Sequence, residues 1–214
     1  MANNFRRRLM MMHSQKVEEP LTIIDYIEAN GISFIELDYI PNINTEITIF
    51  YEGTIETNPI LDASRNSTTS RVYLECEDGY INYAVGNMSE ISQIKRTSGK
   101  DTLILHLPAD ANVSLGLKTG VILTSYANSA LVTANLSYSS QLKNCVNINL
   151  FKNLSTNKIA TGIKLYGIEI SENNQIIMAL SPFDKGKING LIDNINGKLY
   201  TSPNNVKFKS SKNP

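Results

Sequence analysis

The chain has 214 residues with 20 basic and 20 acidic side chains, so no global field draws it toward nucleic acid or an anionic membrane surface. Its length allows one large β domain or two small ones, burying roughly 70% of the unfolded surface. No run reaches the roughly 18 to 20 apolar residues of a membrane span, and two cysteines, Cys76 and Cys145, are too few to staple a secreted scaffold and read as free thiols.

Residues 1–19 read as a segment apart. Arg6, Arg7, Arg8, Leu9, Met10, Met11 and Met12 precede the polar run HSQKVEE, and Pro20 ends any short helix there. Three arginines before four apolar residues imitate a signal peptide, but a signal needs about 7 to 15 apolar residues. The expectation is a protein not exported by that route. Two readings of the segment stand side by side. It is a frayed terminus, or it is an arm whose guanidinium forks and adaptable methionines dock on a neighbouring chain.

From residue 20 to 214 the chain reads as one body of strand after strand. Strands are expected at 21–28, 32–38 and 45–51, with a turn at Asn30-Gly31 and a break at Pro41. Residues 53–70 hold few apolar side chains and read as a long surface loop. Strands 71–77 and 80–85 flank Asp78-Gly79, a strong two-residue hairpin signal. Further strands are expected at 102–107, 113–117, 121–126, 131–138 and 146–151.

The last third carries the clearest pattern. Ile163, Leu165, Gly167 and Glu169 alternate with Lys164, Tyr166, Ile168 and Ile170, which predicts two opposite faces of a strand. Asn173-Asn174 supplies a turn tolerant of positive φ, and a strand at 175–180 returns. A Pro/Asp/Gly break at 181–186 follows, then a short strand pair with turn glycines at Gly190 and Gly197. No stretch of a dozen residues has a convincing period of 3.6. Short strands at this spacing predict an all-β sandwich or jelly roll.

Signals for chemistry are sparse. His13 lies in the N-terminal segment, and His106, between Leu105 and Leu107, reads as a satisfied strand histidine. With no HxH, HExxH or CxxC spacing, no metal is expected, and without a Walker, GxSxG or GxGxxG pattern, no cofactor. Glu36 and Asp38 sit two apart on one strand face, as in the ExDxxE motif of retaining glycosidases, but Pro41 stands where the acid would be. Without a proton donor the leaving group cannot depart, and no catalytic residue is assigned. For a sugar site, Tyr73, Tyr80, Tyr83, Tyr126 and Tyr138 are the available rings, although tyrosine is also an ordinary strand residue.

Three blocks carry a resemblance: FRRRLMM at 5–11, DYIEANGISFIELDYIPNINTEITIFYE within 24–52, and the closing block at 160–202. Together they resemble concanavalin A-like (LamG-type) jelly-roll proteins of phages and prophages of gut bacteria, in the style of crAss-like phages. That family has a "yIdtgy" strand block and a "gkiGlyDkvsgkfy" closing segment. Here Ile35-Glu36-Leu37-Asp38 replaces the first, and Gly190-Leu191-Ile192-Asp193-Asn194-Ile195 departs from the second while keeping Asp193. The middle, 53–159, matches only in strand rhythm.

The resemblance implies a non-enzymatic virion protein assembled in the cytoplasm of a bacterial host. It would be an auxiliary or decoration capsid protein, with the arm at Arg6–Met12 held by the major capsid protein or by tail components. A homo-oligomer and contact with a surface glycan are further expectations, with neither nucleic acid nor membrane as partner. A lectin-like adhesion module on a tail, baseplate or head fibre is the competing reading.

Overall fold

A computed structural model describes residues 19–53, 56–65, 72–85, 88–95, 99–107, 120–125, 130–135, 142 and 145–213. Arg6, Arg7, Arg8, Leu9, Met10, Met11, Met12, His13, Tyr126, Tyr138 and the strand expected at 113–117 lie outside the described residues.

The described strands are β1 (Thr22–Ile23), β2 (Ile27–Asn30), β3 (Ile35–Glu36), β4 (Thr45–Glu52), β5 (Asn58–Asp62), β6 (Val72–Glu77), β7 (Tyr80–Val85), β8 (Met88–Lys95) and β9 (Lys100–His106). Then come β10 (Gly120–Ser125), β11 (Ala130–Asn135), β12 (Asn149–Leu150), β13 (Thr161–Glu172), β14 (Gln175–Lys185), β15 (Ile188–Asp193), β16 (Leu199–Thr201) and β17 (Lys209–Ser210). They form two antiparallel sheets. The larger runs β11-β10-β9-β4-β13-β14-β15-β16, with β2 on β13, β17 on β2 and β1 on β14; the smaller runs β3-β12-β5-β6-β7-β8.

Period-two patterning builds the sandwich. In β4, Thr45, Ile47, Ile49 and Tyr51 are buried while Glu46, Thr48, Phe50 and Glu52 are half-exposed. In β6, Val72, Leu74 and Cys76 point inward and Tyr73, Glu75 and Glu77 outward. The inward sets of both sheets merge in one core that includes Ile47, Ile49, Leu74, Ile81, Leu103, Leu105, Ile168 and Ile170. Each fully buried Ile or Leu there stabilises the fold by about 1.5–3 kcal/mol. The expected turns at Asp78-Gly79 and Asn173-Asn174 form. Asp78 and Gly79 have φ of 49° and 81°, and Asn173 and Asn174 have 50° and 64°, the mirror-image turn that suits strand twist. Cys76 and Cys145 are buried and form no disulfide, and burial, with Asp62 nearby, pushes the Cys145 thiol up to about 11.

Several expectations need correction. The stretch 53–70 contains β5, every residue of which is buried. It is an inner strand between β12 and β6, and the segment after β12 bonds Asp62 through Leu154 N at 2.7 Å, so polarity does not alternate along it, and a bulge between Pro59 and Leu61 absorbs the proline. Alternation in β13 also breaks. The register against β4 slips between Leu165 and Gly167, so Ile163 and Leu165, then Ile168 and Ile170, face the core.

The break expected at 181–186 is strand as far as Lys185, and only Gly186, at φ 59°, lies in a turn. Pro182 has no N–H to offer, but its carbonyl accepts from Ile24 N at 3.0 Å, and β14 runs on to Lys185. Gly190 lies inside β15 rather than in a turn, and a Cβ on it would come 2.0 Å from the Tyr200 carbonyl oxygen. Only Gly197, at φ 75°, is a turn glycine of that pair. Strands β8 and β17 were not expected, and the strands expected at 32–38 and 146–151 shrink to β3 and β12.

Candidate functional site

The outward face of the smaller sheet gathers polar side chains that the strand pattern alone places together. Register sets Asp62 opposite Tyr73, Glu75 opposite Asn82, and Glu77 opposite Tyr80, three rows on one face. The loop after β12 covers one side. Its entry is Phe151, buried at φ 66°, with its N–H on the Ile60 carbonyl and its own carbonyl accepting from Ala160 N at 2.7 Å. Asn153 Oδ1 then accepts from Ser155 N at 2.9 Å and Thr156 N at 2.9 Å, which turns the loop back over the sheet.

Hydrogen bonds tie loop to sheet. Buried Asp62 accepts from Ser64 N at 2.8 Å and Leu154 N at 2.7 Å. Asn153 Nδ2 donates to the Tyr73 hydroxyl at 3.0 Å, and that hydroxyl donates to Glu75. Asn82 Nδ2 donates to Glu77, while Asn82 Oδ1 is enclosed with no hydrogen-bond partner. Such an atom costs about 1–3 kcal/mol. Burial holds the Glu75 carboxyl above its ordinary value, and repulsion from Glu77 adds to this against the opposing bond from Tyr73. Burial and the same glutamate hold the Tyr73 phenol well above its usual range.

The donors of Tyr73 and Asn82 are thus spent within the cluster, and what faces outward beside them is carboxylate. Next to Glu77 stands the exposed ring of Tyr80. Acceptors beside a flat apolar ring suit a ligand rich in hydroxyl donors, such as a sugar.

The larger sheet offers a contrasting cluster. Tyr26 and Tyr166 meet edge to face with centroids 5.7 Å apart. Lys100 Nζ lies 4.1 Å from the Tyr166 centroid and Lys164 Nζ 5.2 Å from that of Tyr26, so the chain's own cations occupy both rings. Glu52 accepts from Tyr166 at 2.8 Å and pairs with Lys164 at 3.1 Å, and these bonds hold its carboxyl below the ordinary value.

Of the residues singled out from sequence, Tyr73 and Tyr80 belong to the smaller-sheet cluster, whereas Tyr83 faces the core and is buried. Glu36 and Asp38 are both exposed but separately engaged, Glu36 by Asn147 Nδ2 at 3.2 Å and Asp38 by Lys198. It is β6 that holds two half-exposed carboxylates, Glu75 and Glu77, on one strand face. His106 pairs with Glu46 at 2.8 Å, a satisfied strand histidine. Among the described residues no group of three or more His, Cys, Asp or Glu is placed to hold a metal ion, and no helix is long and apolar enough to cross a membrane. Sequence reasoning missed Asp62, Asn82 and Asn153, whose signal was position alone.

No protein-family model and no curated protein matches the chain. Solved structures do. The mouse laminin α1 chain, domains LG4-5, superposes with a TM-score of 0.54 at 17% identity, over 73% of this chain and 43% of that one. The chain therefore spans less than half the length of that neighbour. With two antiparallel sheets and this likeness, the fold is a concanavalin A-like, LamG-type jelly-roll sandwich.

Proposed function

We propose that the chain is a structural protein of a bacteriophage particle, an auxiliary or decoration capsid protein held to its partners through Arg6–Met12. The observation that carries this reading is where the resembling blocks lie. Residues 24–52 and 160–202 are distant in sequence yet adjacent in space, with β4 paired to β13 over eight positions and β2 paired to β13 as well. A resemblance whose strands meet in the larger sheet, apart from β3 in the smaller one, supports common architecture better than scattered matches would. Deleting residues 2–16 and measuring incorporation into particles tests the anchor. The reading requires a large loss of incorporation, and unchanged incorporation defeats it.

A second reading, a glycan-binding adhesion module, is favoured by the acceptor-rich face around Glu77 and the exposed Tyr80 ring. Saturable binding on a glycan array that Tyr80→Ala abolishes would support it. Array binding that survives Tyr80→Ala would remove this face as its basis.

A further inference from the structure

The outward face of β14, β15 and β16 exposes large aliphatic side chains where the chain enters the sandwich. Leu21 is 38% exposed, Ile23 56%, Ile188 37% and Leu199 36%. The common face of Ile23, Ile188 and Leu199 follows from register, since cross-strand partners share a side of the sheet. Ile23 is opposite Phe183, Ile188 opposite Lys185, and Ile192 opposite both Ser181 and Leu199. Ser181, Phe183 and Lys185 alternate with Leu180, which faces the core, so these partners lie on the outer side. Phe183, opposite Gly190, is itself fully buried, and Gly190 has no room for a Cβ against the Tyr200 carbonyl, so the exposed aliphatics surround a filled centre. A contiguous apolar surface rimmed by polar residues marks an interaction site.

The path of the chain names the occupant. β1 pairs with the far end of β14, and the Glu19 carboxylate rests on Gly186, where an added Cβ would fall 0.9 Å from its Oε2. Glu19, the first described residue, therefore sits at the β14–β15 turn, close in sequence to Ile188. Leu9, Met10, Met11 and Met12 stand seven to ten residues upstream of Glu19. Seven extended residues reach roughly 23 Å, while Ile188 to Ile192 spans only about 13 Å. A short tether also gives an effective concentration on the order of millimolar, above that of any second copy in dilute solution.

We propose that in the free protein the apolar stretch Leu9–Met12 of the same chain lies on this face, over Ile23, Ile188 and Leu199. The particle partner then has to draw it off, and the uncovered face becomes part of the contact. Methionine gives such a reversible cover the adaptability it needs.

Methionine oxidation by dilute peroxide, followed by mass spectrometry on the isolated full chain, tests this without any particle, so its outcome is separate from that of the incorporation assay. The reference rate is that of a free peptide of residues 1–18. Met10, Met11 and Met12 are expected to oxidise at least about fivefold more slowly in the chain, as for a segment closed most of the time. Ile188→Asp should bring them to within about twofold of the peptide rate. Continued slow oxidation of buried Met178 would show that the variant folds, and Leu199→Asp replaces it if not. Peptide-like rates in the unmodified chain would overturn the proposal. So would protection that both variants leave intact, or protection lost on dilution together with a dimer-to-monomer shift in sedimentation, which would assign the face to a second copy.

Discussion

Both outer faces of the sandwich carry a tyrosine hydroxyl bonded to a glutamate, and the two glutamates move in opposite directions. On the larger sheet, Tyr166 and Lys164 both donate to Glu52, which falls below its ordinary value. On the smaller sheet, Tyr73 donates to Glu75, yet Glu75 rises because burial and Glu77 outweigh that bond. The same pair of residue types is thus a self-contained ion and ring cluster in one place and an acceptor-rich surface in the other. What differs is the neighbours: lysines over the rings on one face, a second carboxylate and a covering loop on the other.

The comparison breaks most visibly at Asp62. Asp62→Ala strands the N–H groups of Ser64 and Leu154 and should lower stability by about 2–4 kcal/mol in urea titration. Glu52→Ala, on the open face, should cost less than about 1 kcal/mol. Similar losses for the two would mean that the loop over the smaller sheet is not held as described.

Removing one hydroxyl from each face comes next. Tyr73→Phe leaves Asn153 Nδ2 without its acceptor in a half-buried site and should cost about 1–2 kcal/mol. Tyr166→Phe loses a bond that water can replace and should cost under about 0.5 kcal/mol by thermal melting. Equal shifts in Tm would show the two faces to be equally open.

The smallest effect is the most specific, because its sign differs between the faces. Glu52 has a lowered folded value, so its contribution is present above the ordinary 4.5 and is lost as pH falls through that lowered value. Glu75 has a raised folded value, so its contribution is present below 4.5 and is lost as pH rises through the raised value. At pH 7 Glu52→Gln should lower Tm and Glu75→Gln should raise it or leave it level, each by less than about 1 kcal/mol. At a pH low enough to protonate both carboxyls, both variants should melt with the parent. Shifts of the same sign at pH 7 would contradict the assignment.

Much of this architecture was legible from residue patterns. The turns at Asp78-Gly79 and Asn173-Asn174 were readable because few residues tolerate positive φ, and β4 and β6 because one face of each is packed and the other wet. β5 was hidden for the converse reason: both its faces are covered, so polarity does not alternate, and Pro59 reads as a breaker when a bulge accommodates it. The core faces of β13 were half wrong because a bulge resets parity and leaves no compositional mark. Tyr73 and Tyr80 were visible as candidate rings. Asp62 and Asn153, far apart in sequence, acquire their roles only when the loop after β12 folds over β5 and β6.

The central claim, a particle protein held by its first residues, is tested most directly by cross-linking mass spectrometry on purified phage particles that carry the full chain. The account predicts links from Lys16, just beyond the Arg6–Met12 stretch, to another structural protein of the particle. Particles that lack the chain, or that link it only through lysines of the sandwich such as Lys100 and Lys158, would contradict it.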